Sequence, residues 1–150
     1  MSTFRTLSLL SFFSLAFCVS SAEAAEPAGQ PASTLEVTAR LQKIPGKFPA
    51  DELYDYVYVM QYQVEGGEMD KQTILVGHYK PRRARAEIDD KMKKHVAGSL
   101  KRFEQNAVHR LVLTAEMKKV WKGAVVDEFF DSDRKSKRYF CLKADLAPGK

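Results

Sequence analysis

The stretch LYDYVYVMQYQVEGG, Leu53–Gly67, carries four tyrosines, Tyr54, Tyr56, Tyr58 and Tyr62, all at even positions. Successive side chains of a β-strand point to opposite faces, so this spacing predicts one strand from about Tyr54 to Glu65 with an aromatic stripe on one side. The even face carries Tyr54, Tyr56, Tyr58, Met60, Tyr62 and Val64, and the odd face Asp55, Val57, Val59, Gln61, Gln63 and Glu65. Both faces are apolar in the middle and only one is apolar at the ends. A long strand crossing a small barrel has this pattern, covered on both sides at mid-length and wet at the rims. Two readings of the stripe follow. The rings pack in a core, as strand aromatics commonly do, or they are exposed and stack sugars or bases.

The same logic extends outward. Gly66-Gly67 and the polar residues to Lys71 predict a hairpin turn, and QTILVGHY, Gln72–Tyr79, the returning strand. Gly77 within it marks a bulge or a close approach of backbone. Upstream, TLEVTARLQKI (Thr34–Ile44) alternates as a half-buried strand, ended by Pro45-Gly46. Downstream, Val108–Thr114, Ala124–Phe130 and Lys137–Leu146 read as strands, with a short helix or turn over Ala115–Lys122. Between Ala84 and Phe103, Ile88, Met92 and Val96 recur every four residues among charges, which predicts one amphipathic helix ending near Gly98. The expected fold is mainly β: a small closed or partly open barrel of OB-like type, about six strands with one helix, in a single domain over residues 34–147.

Residues 1–24 have the order of a signal peptide: Arg5, an apolar run from Leu7 to Val19, then small residues before an expected cleavage after Ala24. The run is short of the roughly 20 apolar residues of a membrane span, so none is expected in the mature form. Residues 25–33, AEPAGQPAS, form an expected disordered lead. The expected location is periplasmic or extracellular. Cleavage removes one arginine and one glutamate, so the formal charge stays at +5. It also removes Cys18 and leaves Cys141, within the apolar run RYFCLKADL, as a buried inert thiol without a disulfide partner.

The segment KPRRARAEIDDKMKK, Lys80–Lys94, concentrates positive charge. Arg82, Arg83 and Arg85 are suited to bidentate contacts with carboxylate, sulfate or phosphate. Export argues against nucleic acid as a partner and for anionic glycans, cell-wall polymers or lipid head groups. His78, His95 and His109 lack metal-ligand spacing, and Asp127, Glu128, Asp131 and Asp133 lack that of an EF-hand. No nucleophile motif is present. No residue is assigned a catalytic role, and no metal or cofactor is expected.

YVYVMQYQV (Tyr56–Val64), a glycine-containing turn, ILVGHY (Ile74–Tyr79) and HRLVLT (His109–Thr114) resemble a family of bacterial extracytoplasmic β-barrel domains of unknown function associated with alginate O-acetyltransferase-like proteins and exopolysaccharide handling. The resemblance covers about 60 residues. Tyr79 stands where that family has tryptophan, the basic segment after Pro81 is longer, and the family's acidic ending is absent. The likeness implies a fold more than a function, and it singles out His78 and Tyr79 as a pair at the barrel rim.

The expected function is that of an exported, non-catalytic accessory domain for an anionic envelope polymer or a polysaccharide-modifying protein. Tyr54, Tyr56, Tyr58, Tyr62, His78 and Tyr79 would make apolar and hydrogen-bonding contacts, and Arg82, Arg83 and Arg85 would supply charge. One alternative is a small periplasmic hydrolase or lyase pairing His78 with a tyrosine, which needs His78 Nε2 and a tyrosine hydroxyl to converge. Another is an envelope scaffold or assembly protein.

Overall fold

The computed structural model of the chain describes residues 33–149. The expected signal peptide and all of the expected lead except Ser33 lie outside the described residues. Six strands form one sheet: β1 (Leu35–Lys43), β2 (Tyr56–Val64), β3 (Thr73–Tyr79), β4 (Val108–Thr114), β5 (Ala124–Val126) and β6 (Lys137–Leu146). The pairing runs β1-β4-β6-β3-β2 and closes through β1–β2, so five strands make a barrel. The β3–β6 pair is parallel and the other barrel pairs are antiparallel. This is the strand order of an OB-type barrel.

Closure requires strong coiling, and two bulges supply it. In β1, Leu41 pairs with Tyr62 and Lys43 with Gln61, which leaves Gln42 over. In β6, Lys143 pairs with Val112 and Cys141 with Leu113, which leaves Leu142 over. The second bulge moves the inward side from Tyr139 and Cys141 to Ala144. Because β1 pairs only with Gln61–Val64 of β2, the Tyr56–Tyr58 half is left for β5, which runs parallel to it as a short flap outside the barrel.

The expected double coverage of β2 is found. Its even residues Tyr56, Tyr58, Met60, Tyr62 and Val64 fill the barrel interior with Leu41, Ile74, Val76, Leu111 and Leu113. Of its odd residues, Val57 lies in an outer cluster with Tyr79, Ile88, Met92, Val96, Trp121 and Phe140. Val59 lies under Phe129. The ends are wet: Gln63 is exposed and Asp55 half-buried. Gly77 is explained by that outer layer, since a Cβ there would stand 2.7 Å from Val57 Cγ1 and 3.1 Å from Met117 Cε.

The expected helix over Ala84–Phe103 is not formed. The segment is a 3-10 turn, Arg85–Glu87, followed by further turns. Ile88, Met92 and Val96 are nonetheless all buried. Asp90 Oδ1 accepts from Met92 N at 2.9 Å, which tightens one of these turns. The described residues contain one α-helix, α1 (Met117–Val120), in the segment read as helix or turn. The strand expected over Ala124–Phe130 stops at Val126 and is followed by turns. Among the described residues no helix is long and apolar enough to cross a membrane.

Candidate functional site

The tyrosine stripe faces inward. Tyr56, Tyr58, Tyr62, Tyr79 and His78 are fully buried, and only Tyr54, 45% exposed, meets solvent. A ring inside a packed barrel offers no face to a ligand, so the stacking-platform reading is corrected to core packing. Barrel closure turns the even face in, and a period of two cannot say which side is inside.

The paired roles given to His78 and Tyr79 are corrected for the same reason. As neighbours on one strand they point to opposite faces. His78 enters the barrel, its ring 5.7 Å from that of Tyr62 and 4.4 Å from that of Phe103. Tyr79 lies in the outer layer, its ring 5.1 Å from that of Trp121, and its hydroxyl donates to Asp90 Oδ2 at 2.7 Å. No tyrosine hydroxyl reaches His78. Tyr62 Oη shares a hydrogen bond of 3.2 Å with His109 Nδ1, Tyr56 Oη donates to Pro49 O at 2.9 Å, and both ring nitrogens of His78 are buried without a partner. The convergence that an acid–base pair of His78 with a tyrosine requires is absent.

The three arginines are dispersed. Arg85 is buried, and its guanidinium donates to the carbonyls of Tyr79, Lys80 and Arg83 at 2.7, 2.7 and 2.8 Å, so it holds the chain as it leaves β3. Arg83 makes long surface ion pairs with Asp51 and Asp89, each 3.5 Å. Arg82 is exposed. Their expected joint role as a charged contact surface is corrected.

Positive charge converges elsewhere. The turns after β3 lie against α1 and the residues that follow it, with a cleft of about 500 Å³ between them. Lys91, Lys94 and His95 come from the first wall, and Lys119, Trp121 and Lys122 from the second. None of its nine lining residues is a carboxylate. Trp121 is nearly buried and fixed by its indole N–H donating to Ala124 O at 3.0 Å. Gly123 must lack a side chain, because a Cβ there would stand 2.3 Å from the Trp121 ring. Lys91 Nζ is 5.5 Å from the indole centroid and 3.4 Å from Asp55 Oδ2, and Lys119 Nζ is 2.6 Å from Glu116 Oε1. Lys94 and Lys122 have no carboxylate within ion-pair distance among the described residues. Desolvation, helped by Lys94, holds the imidazole of His95 below its ordinary value.

A larger cleft of about 900 Å³ lies where β1 meets the β2–β3 turn and the residues after β6. Its polar groups are engaged with one another: Arg40 Nε with Glu65 Oε1 at 2.7 Å, and Gly66 N donating to Asp70 Oδ1 at 2.6 Å. The lysine cleft has ammonium groups to spare and is the better candidate. Among the described residues no three metal-ligating side chains come together.

Sequence reading placed Lys91 and Lys94 in a basic run but did not join them to KKVWK, Lys118–Lys122. The lone tryptophan flanked by lysines was the signal available. The chain matches no family model, no curated protein and no solved structure.

Proposed function

We propose that this protein is an exported, non-catalytic module that binds an anionic envelope polymer through the Lys91–Lys122 cleft. The observation that carries the reading is the cleft lining: four lysines and one histidine on two walls, with no carboxylate among them. A concave site lined by one sign of charge over a low-dielectric floor concentrates its field and draws in counter-charged ligands. Lysines favour this role over geometric selection, because an ammonium is a point charge without the planar fork of arginine. The class of ligand is a polymer of carboxylate, sulfate or phosphate groups rather than one small acid. The resemblance to exopolysaccharide-associated barrels supports a polysaccharide.

The test is affinity electrophoresis in gels containing alginate or dextran sulfate, at about 50 and 200 mM salt. Retardation at low salt that weakens at high salt supports the reading. The double variant Lys94→Glu/Lys122→Glu should lose roughly tenfold in affinity, whereas Arg82→Ser/Arg83→Ser should change it little. Equal retardation of the parent and the lysine variant would rule the cleft out.

A further inference from the structure

We propose that Lys80–Phe103 is an acid-released plug: protons taken up by His78 and His109 inside the barrel unseat Arg85 and Phe103, and with them one wall of the lysine cleft.

The barrel interior holds two fully buried histidines, His78 from β3 and His109 from β4, on strands separated by β6, and both rings meet Tyr62 and Phe103. Both nitrogens of His78, Nε2 of His109 and Nε of Arg85 have no hydrogen-bond partner. Buried polar groups in native proteins are nearly always paired, so four such atoms together mark a place where the fold stores instability. The groups facing the two rings are Tyr62 from β2, and Arg85 and Phe103 from the plug, with Cys141 from β6 lying beyond them near Tyr62 and Arg85. No carboxylate bonds to either ring. Phe103 seals them, 4.4 Å from His78 and 5.8 Å from His109, with the Arg85 guanidinium 5.3 Å from the Phe103 centroid.

A proton on either imidazole would therefore be an uncompensated buried charge beside a guanidinium. Desolvation, then Arg85 and then His109, keeps His78 neutral well into acid, and burial holds His109 at about 4. Once the plug lifts, both rings titrate near the ordinary value of about 6.5. The open state then gains up to tenfold per pH unit from each histidine as pH falls below that value.

The plug is the part that yields, because its side chains pack on the barrel while its backbone shares few hydrogen bonds with the strands. Arg85 N donates to Leu100 O at 2.8 Å, which closes the loop on itself. Past its first turns, which Lys80 ties to Asp55 and Asp90, its backbone meets the sheet at an isolated bridge to β6: Ala97 N to Leu142 O at 2.8 Å, Ala144 N to Ala97 O at 3.1 Å and Leu100 N to Ala144 O at 3.2 Å, with Ser99 N donating to Asp145 Oδ1 at 2.7 Å. The barrel strands have continuous ladders, and segments with few such bonds open first. Lys91, Lys94 and His95 ride on this segment, so opening would take apart the cleft; that consequence rests on the function proposed above. Titration of His95 itself would add positive charge and strengthen anion binding, so a loss of binding in acid has the opposite sign and reports the plug.

The experiment is amide hydrogen exchange on the full chain at about pH 7 and about pH 5, corrected for intrinsic rates, with dextran sulfate binding measured in parallel. The expected result is at least roughly tenfold faster exchange at Arg85, Ala97 and Leu100 in acid, unchanged protection in β2 and β4, and release of the polymer. The variant His78→Phe/His109→Gln should abolish the acid response. If that pair does not fold, His109→Gln alone should reduce the steepness by roughly tenfold per pH unit. Unchanged plug protection in acid, simultaneous loss of plug and strand protection, or an acid response kept in the variants would overturn the proposal. A plug that opens in a protein that never bound dextran sulfate would sink the lysine cleft and leave the plug standing.

Discussion

Lys80 Nζ lies 2.6 Å from Asp55 Oδ1, which ties the residue after β3 to the residue before β2. Lys80 adopts a left-handed φ of 37° and is nearly buried, and it also reaches Asp90 Oδ2 at 3.5 Å. One ammonium thus fastens the open end of the β2–β3 hairpin, opposite its turn, to the first turns of the plug. Few lysines are so enclosed unless paired.

Lys80→Met should therefore lower stability by about 1–3 kcal/mol, less than for a fully buried pair because both carboxylates are partly exposed. The hydrogen bond from Lys80 holds the Asp55 carboxyl below its ordinary value of 3.8. A depressed carboxylate stabilises the fold above its unfolded value and loses that contribution as pH falls through the folded one. Urea titrations of parent and variant should converge below about pH 3.8 and differ above it; a constant difference across that range would exclude the ion pair as the cause.

Gly98→Ala should loosen the plug. Gly98 has a φ of 122°, and a Cβ there would stand 2.0 Å from Ala144 O. The strain and clash should cost about 1–3 kcal/mol, or the bridge to β6 should break. Faster exchange at the Ala97 and Leu100 amides is the readout.

Tyr62→Phe and Tyr58→Phe should differ in sign or size, although both rings are fully buried. Tyr62 loses its bond to His109 Nδ1 and leaves that nitrogen unpaired, at about 1–2 kcal/mol. Tyr58 Oη has no partner of good geometry, so its removal should be neutral or stabilising by up to about 1 kcal/mol. Thermal unfolding of the two variants decides this.

Cys141 should resist thiol reagents in the native protein. It is buried, and desolvation pushes its thiol up to about 12. In a Cys18→Ser chain, labelling at neutral pH should be negligible and should become complete in denaturant. Rapid labelling of the folded protein would show that the interior is open.

The parts of the fold that could be read in advance are those where period and punctuation agree. Val108–Thr114 and Lys137–Leu146 have the bounds expected of them, and β2 is covered on both faces as its two apolar sides require. Ala84–Phe103 misled because three apolar residues four apart suit any chain that returns to the same surface at that interval. Only Val96 N to Met92 O, at 2.9 Å, makes the helix-like bond there. The site was the least legible part. The stripe's tyrosines share a face, but only closure of the sheet decides that this face is inside. Lys94 and Lys122 meet through a tertiary arrangement that no local pattern encodes.

The position of β6 governs the order of assembly. The barrel's last strand fills the place between β3 and β4, so a nascent chain that lacks Lys137–Leu146 has two open edges and no closed interior. Such a chain cannot close its barrel until β6 is available to pair, so folding waits for the last strand. Deletion of Lys137–Leu146 should leave an aggregating polypeptide rather than a slightly weakened one.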